Sequence, residues 1–179
     1  MNVTLPEGHE ILSTKDESVR LFSNFILDKF SRVYWFVPLI FFVPVVIYFF
    51  YKSTLVLPLL ETGLLFLGGL GIWTVVEYLF HRFVFHYVPK SKFGKKIHFM
   101  IHGVHHAYPN DSLRLVMPPI LSIPLATAFY FAFYYTAGIY CAGLFSGFIL
   151  GYLMYDMMHY ATHHAHFMKA PWFLKIKHH

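Results

Sequence analysis

The chain has 179 residues, of which 57% are hydrophobic, 21% aromatic and only 13% charged, with a mean hydropathy of +0.52. This composition excludes a soluble globular domain and predicts a polytopic membrane protein, with room for roughly four spans of ~20 residues and no separate soluble cofactor domain. The net charge of +5 does not point to nucleic acid, because Lys and Arg stand at the ends of hydrophobic segments, and the single cysteine, Cys141, excludes disulfides, Cys-ligated zinc and iron–sulfur clusters within one chain.

Residues 1–12 carry no basic stretch followed by an apolar core, so insertion is expected through the first spanning helix, and His9 reads as a surface residue. From Thr14 a capping pattern, Thr14-x-x-Glu17, opens a segment in which Val19, Phe22, Ile26, Phe30 and Val33 recur at helical spacing opposite Asp28, Lys29 and Arg32. This predicts an amphipathic helix, lying in the membrane interface or packed on the rest of the domain. Residues 34–51 make a first span with aromatics at both ends and Pro38 and Pro44 as kinks. After a turn at 52–54, residues 55–80 cross again; Gly63, Gly68, Gly69 and Gly71 on this span read as close helix packing.

The loop 81–114 holds Arg82, Lys90, Lys92, Lys95, Lys96 and Arg114, against Lys52 alone in the first turn, so the N-terminus and this loop are expected on the cytoplasmic side. Residues 115–137 and 139–158 then form two spans joined at Gly138, with Pro118, Pro119 and Pro124 predicting an irregular or re-entrant start. The tail, with Lys169, Lys175 and Lys177, returns to the cytoplasm. The expected fold is therefore all-α: an N-terminal cytosolic or interfacial segment over 1–34, then a membrane domain over 35–179 of about four transmembrane helices with a histidine-rich cap.

Of thirteen histidines only His9 precedes residue 80; the others stand in short groups bordering the hydrophobic runs. These are HRFVFH (81–86), HFMIHGVHH (98–106) and HYATHH (159–164), followed by His166, His178 and His179. Topology places all of them on one membrane face. Imidazoles without thiolates predict a nitrogen-dominated metal site, with room for two ions. His98, His102 and His106 recur every fourth residue, with His105 three after His102; His159 and His163 repeat the i, i+4 pairing. His81 and His86, five apart, converge only where a helix ends or distorts. His164 reads either as a ligand or as a neighbour, and His166 as a surface residue. Glu77, one turn before His81, and Asp156, three residues before His159, are candidate carboxylates behind the ligands, or else partners of Arg82 or a lysine. Haem is disfavoured, because these histidines lie at span ends among charges.

The motifs HRFVFH and HFMIHGVHH, with RLVMPP (114–119) and GYLMYDMMHY (151–160), resemble the integral-membrane fatty acid hydroxylase and sterol desaturase superfamily, and within it the fatty acid 2-hydroxylases. The resemblance covers about residue 60 to the end. It implies a compact helical domain with a histidine-bound dimetal centre on the cytosolic face, O2 activation by two iron ions, and hydroxylation at C2 of a lipid acyl chain entering from the membrane. Zinc can replace iron in such nitrogen sites. The ligands it implies are His81, His86, His102, His105, His106, His159, His163 and His179, with His98 and His178 as near neighbours. The two histidines and the Gly-Phe-Gly tail that would follow His179 are absent, so the last group is expected to be cut short. Residues 1–34 are too short for a fused cytochrome b5 domain, which implies a separate electron-transfer protein and a bacterial inner membrane in place of the endoplasmic reticulum. Sterol desaturation or carotenoid hydroxylation on the same scaffold is the alternative chemistry. A histidine-rich metal transporter is the alternative of another class, and it would place ligands along a path inside the spans.

Overall fold

The computed structural model describes residues 12–13, 15–85, 87 and 89–164. Among them every regular element is helical: α1 (Phe25–Phe30), α2 (Val37–Thr54), α3 (Leu59–Phe80), α4 (Lys92–His98), α5 (Val104–Ala107), α6 (Pro119–Ala137) and α7 (Cys141–His164). Two compact units are formed. One takes Phe36–Tyr78 and Met117–Met157; the other takes the residues up to Trp35, Leu79–Val116 and the chain from Met158.

The first unit holds the membrane helices. Three stretches are long and apolar enough to cross a bilayer, Val37–Thr54, Leu59–Val84 and Pro119–His164. The third is folded back: Gly138, at φ 55° in the left-handed region that favours glycine, and one tight turn over Gly138–Tyr140 divide it into α6 and α7. The expected four helices result.

Helix α7 is the one the others pack on. Tyr152 meets Phe42 of α2 (ring centroids 5.2 Å), Phe148 meets Trp73 of α3 (5.1 Å), and Phe148 also meets Phe129 of α6 (4.6 Å). Where α7 crosses α3, glycine replaces side chains. A Cβ on Gly147 would land on the Phe66 carbonyl oxygen, and one on Gly69 would land on that of Leu144, so the two backbones touch. The packing role read for Gly69 holds. Leu60, Leu64, Leu67 and Val75 on α3 are exposed, as suits a lipid-facing surface.

The third span starts irregularly over 115–118, as the prolines predict, and runs as regular helix from Pro119 with no re-entrant turn among the described residues. Pro118 caps α6 and Pro119 opens its first turn, positions where a missing N–H costs nothing, and Pro124 lies within the regular helix. Asp156 of α7 accepts the Met117 N–H through both carboxylate oxygens (3.3 Å), which fixes this start.

In the second unit, α3 runs into a π-helical turn at His81–Phe85, and α4 is joined to α5 by a second π turn, Phe99–Gly103. Phe99, Val104 and Ala107 form its small core, with Leu21 and Tyr108 packed against it. The amphipathic helix expected from Thr14 is not there: residues 15–24 are irregular, the cap is Asn24, and only Phe25–Phe30 is helical. Of the expected polar face Lys29 stays exposed, but Asp28 turns inward: it is buried and receives the N–H groups of Leu21 (2.8 Å) and Phe22 (3.3 Å) and the guanidinium of Arg32 (2.7 Å). Those backbone donors are satisfied only if the preceding chain leaves the helix. The segment instead forms a strap on residues 107–114: the Leu12 N–H reaches Ala107 O (2.9 Å), Asp16 accepts from Ser112 N–H (2.9 Å), and the Val33 N–H reaches Leu113 O (2.7 Å).

Candidate metal centre

His81, His98, His106, His159 and His163, together with the backbone of His102 and His105, all belong to the second unit. His159 and His163 stand one turn apart on α7 with ring centroids 5.1 Å apart, the arrangement in which two imidazoles on one helix face present nitrogens to a common ion. His163, His81 and His106 all lie within electrostatic reach of His159. Segments far apart in sequence thus place two further imidazoles, of His81 and His106, within electrostatic range of His159.

The π turn at His81–Phe85 bears on the pair spaced by five. A π-helix closes its hydrogen bonds between i and i+5, so the regular helix is distorted from His81 onward, as the five-residue spacing asked. His86 itself lies outside the described residues, as do His166, His178 and His179; the side chains of His102 and His105 lie outside them too. His164 stacks on Tyr160 (4.8 Å, 21° between planes), and Tyr160 in turn stacks on Trp35 (6.1 Å).

The two candidate carboxylates have tyrosine partners. Asp156 is 5% exposed; besides the Met117 amide it accepts from the Tyr152 hydroxyl (3.1 Å), and Glu77 and Tyr155 are hydrogen-bonded to each other. Sequence reasoning passed over both tyrosines. Tyr152 was findable, since it precedes Asp156 by four residues and shares its helix face; Tyr155 was not, because its partner is on another helix.

The Arg114 side chain, first of the RLVMPP motif, is buried. It donates to Val19 O and pairs with Asp28 (3.4 Å) and Asp111 (3.5 Å), and Asp111 also accepts from the Ser18 hydroxyl and the Leu113 N–H. Burial disfavours the Asp28 carboxylate, but the Leu21 and Phe22 amides and the guanidinium groups of Arg32 and Arg114 outweigh it, holding this carboxyl below its ordinary value of 3.8.

Among the described residues no three His, Cys, Asp or Glu side chains are assembled as a metal-holding group. The donor chemistry nonetheless fits a nitrogen-ligated metal: His159 and His163 offer paired imidazoles, with two more within reach and no thiolate.

No family model matches the chain. It is 39% identical over 160 residues to the dihydroceramide fatty acyl 2-hydroxylase FAH1 of Arabidopsis thaliana, an alignment covering 88% of this chain and 67% of that one. The chain belongs to the fatty acid 2-hydroxylase family. Within that family it is also 40% identical to the ceramide very long chain fatty acid hydroxylase scs7 of Schizosaccharomyces pombe, over 86% of this chain and 45% of the relative. With the fatty acid 2-hydroxylase of Rattus norvegicus it shares 35% identity, over 90% of this chain and 49% of the relative. The fold matches a solved structure described as full-length scs7p with only its hydroxylase domain visible, at a TM-score of 0.80 and 36% identity, over 87% of this chain and 60% of that one.

The 2-hydroxylase family membership and the spanning helices make this an integral membrane protein. The expected bacterial inner membrane finds no support, since these relatives come from a plant, a yeast and a mammal. That expectation rested on the length of residues 1–34, which says nothing of origin when the chain spans about half of the yeast and rat relatives.

Proposed function

We propose that this chain carries out O2-dependent hydroxylation at C2 of a fatty acyl chain, free or amide-linked in a sphingolipid, on the cytosolic face of its membrane. The observation that supports this most is the pairing of His159 with His163, within reach of His81 and His106, in a chain so similar to acyl 2-hydroxylases. Two ions, iron in the working enzyme with zinc able to take its place, would be held by His81, His86, His102, His105, His106, His159, His163 and His179. When bound, they would supply O2 activation, with the electrons coming from a separate donor protein.

The net change replaces hydrogen at C2 by hydroxyl, with the second oxygen atom leaving as water and two electrons and two protons coming from the donor. The chain's own residues supply geometry. Phe145, Phe148, Ile149 and Leu153 bury the shaft of α7, so the turn bearing His159 and His163 extends from a rigid element. One turn earlier Asp156 locks the start of α6 to α7. His98 and His178, near neighbours of ligands in the sequence, would not bind metal, and Glu77 and Asp156 would orient the helices that carry the ligands.

Cells that lack 2-hydroxylated lipids test the reading. Expression of the chain with a cytochrome b5-type donor produces 2-hydroxy fatty acids detectable by mass spectrometry, and His163→Ala abolishes them. Hydroxylation that survives His163→Ala would overturn the ligand assignment, and a product hydroxylated elsewhere would overturn the C2 assignment.

A further inference from the structure

Helix α1 is inside out for a water-facing element. Its one carboxylate, Asp28, is 6% exposed, while Phe25, Ile26 and Phe30 are 71%, 62% and 61% exposed. At ~100° per residue, Ile26 and Phe30 each lie roughly 160° around the helix from Asp28, so these two side chains occupy the face opposite the buried charge, with Phe25 at its edge. The strap could have turned this helix the other way; the Leu21 and Phe22 amides and the Arg32 and Arg114 guanidinium groups hold Asp28 inward and leave large hydrophobics outside. A contiguous exposed apolar surface of this kind marks a contact with something other than water.

We infer that the outer face of α1 is seated in lipid, at the boundary between headgroups and acyl chains. Three observations choose a bilayer over a protein partner. Only the residues 31–36 separate α1 from the first membrane-crossing helix at Val37, and six residues reach at most ~20 Å, so α1 stays beside the membrane surface. Within that tether Tyr34 and Trp35 are 60% and 44% exposed, the two residue types that settle at a membrane–water boundary. Lys29, exposed and lying between Phe25 and Ile26 on the helical projection, at the edge of the Ile26–Phe30 face, puts a positive charge where anionic headgroups lie.

The seat has a consequence for the histidine unit. Asp28 also meets Arg114, and the Val33 N–H binds Leu113 O, so lipid contact at α1 is passed directly to the segment that follows α5 and its histidines. The strap is a strut between the bilayer surface and that segment.

Spin labels on the full chain in nanodiscs of phosphatidylcholine and phosphatidylserine test the inference without any measurement of activity. Ile26→Cys and Phe30→Cys are compared with Glu17→Cys, an exposed residue of the strap, and with Leu64→Cys, a lipid-facing residue of α3; the signal of buried Cys141 is subtracted using unsubstituted protein. Collisions with O2, which partitions into lipid, are measured against collisions with a water-soluble nickel chelate. The O2-to-nickel ratio at positions 26 and 30 rises above that at 17 towards that at 64. A ratio equal to that at position 17 places α1 in water and overturns the inference. Exclusion of both reagents places a second copy or another protein on α1 and overturns it equally. All the labelled side chains are exposed, so none of the variants removes packing.

Discussion

Gly147 of α7 faces Phe66 of α3 with no room for a single added carbon, since a Cβ there would coincide with the Phe66 carbonyl oxygen. Backbone cannot swing aside as a side-chain tip can, so Gly147→Ala must force the two helices apart along a crossing that also includes Gly69. Overpacking of this kind costs about 1–3 kcal/mol. The comparison is Gly71→Ala on α3, whose added methyl meets nothing within 4 Å. Thermal unfolding in detergent, followed by loss of helical circular dichroism, should show a lowered midpoint for Gly147→Ala and an unchanged or raised one for Gly71→Ala.

Arg114→Ala should be among the most damaging substitutions outside the histidines. The side chains of Arg114, Asp111 and Asp28 are 3%, 1% and 8% exposed, so removing the guanidinium leaves the buried Asp111 carboxylate without its cation and Asp28 with Arg32 alone. Breaking a buried pair from one side costs roughly 3–5 kcal/mol. Arg32 also pairs with Asp28, but its side chain is 34% exposed, and Arg32→Ala should cost no more than about 1 kcal/mol. The contrast is readable by limited proteolysis of the strap, with Arg114→Ala cleaved rapidly between residues 15 and 24 and Arg32→Ala close to the parent.

The same network gives the protein an acid limb. The Asp28 carboxyl sits below its ordinary value of 3.8 in the folded chain, so it binds protons less readily there than in the unfolded chain. Its contribution is therefore fully present above the unfolded value and is lost as pH falls through the folded one. Stability measured from pH 6 downward should begin to fall as pH approaches about 4 and keep falling below it. Asp28→Asn should start lower and show a shallower slope over that interval; an unchanged slope would assign the acid limb to other carboxylates.

How much of this was legible in the sequence depended on the distance over which each feature is determined. The spans were readable because hydropathy is a local sum, and Gly138 was readable as the break between α6 and α7 because a left-handed φ asks for glycine. The pairing of His159 with His163 followed from helical spacing alone. The inward turn of Asp28 did not, because this side chain is drawn in by Arg114, eighty-six residues away, and periodicity cannot see a partner at that separation. At His81–Phe85 the five-residue histidine spacing signalled a helix end or distortion but not its kind, because a pattern read at 3.6 residues per turn does not tell a terminus from a switch to i+5. Pro118 and Pro119 marked the irregular lead-in to α6 correctly, whereas Pro124 lies inside the regular helix, because proline near the first turns of a helix and proline that breaks one look alike until the boundary is known.

Metal content separates ligands from neighbours among the histidines. His163 is stacked edge-on against His159, whereas His98 ends α4 ahead of the π turn at Phe99–Gly103 and stands outside the proposed ligand set. If each ion is held by several imidazoles, removing one nitrogen lowers affinity by an order of magnitude or more, because even outer partners of ligands are worth about 10–100-fold. Protein purified after iron supplementation, dialysed against a mild chelator and assayed by plasma emission should retain close to its full metal in His98→Ala and lose at least one ion in His159→Ala or His163→Ala. Circular dichroism on the same samples should show that the helices persist, since the α7 shaft is packed by residues ahead of the histidine turn. Equal retention in all three variants would mean that the α7 pair does not hold metal, and loss in His98→Ala alone would move the site to the α4 side.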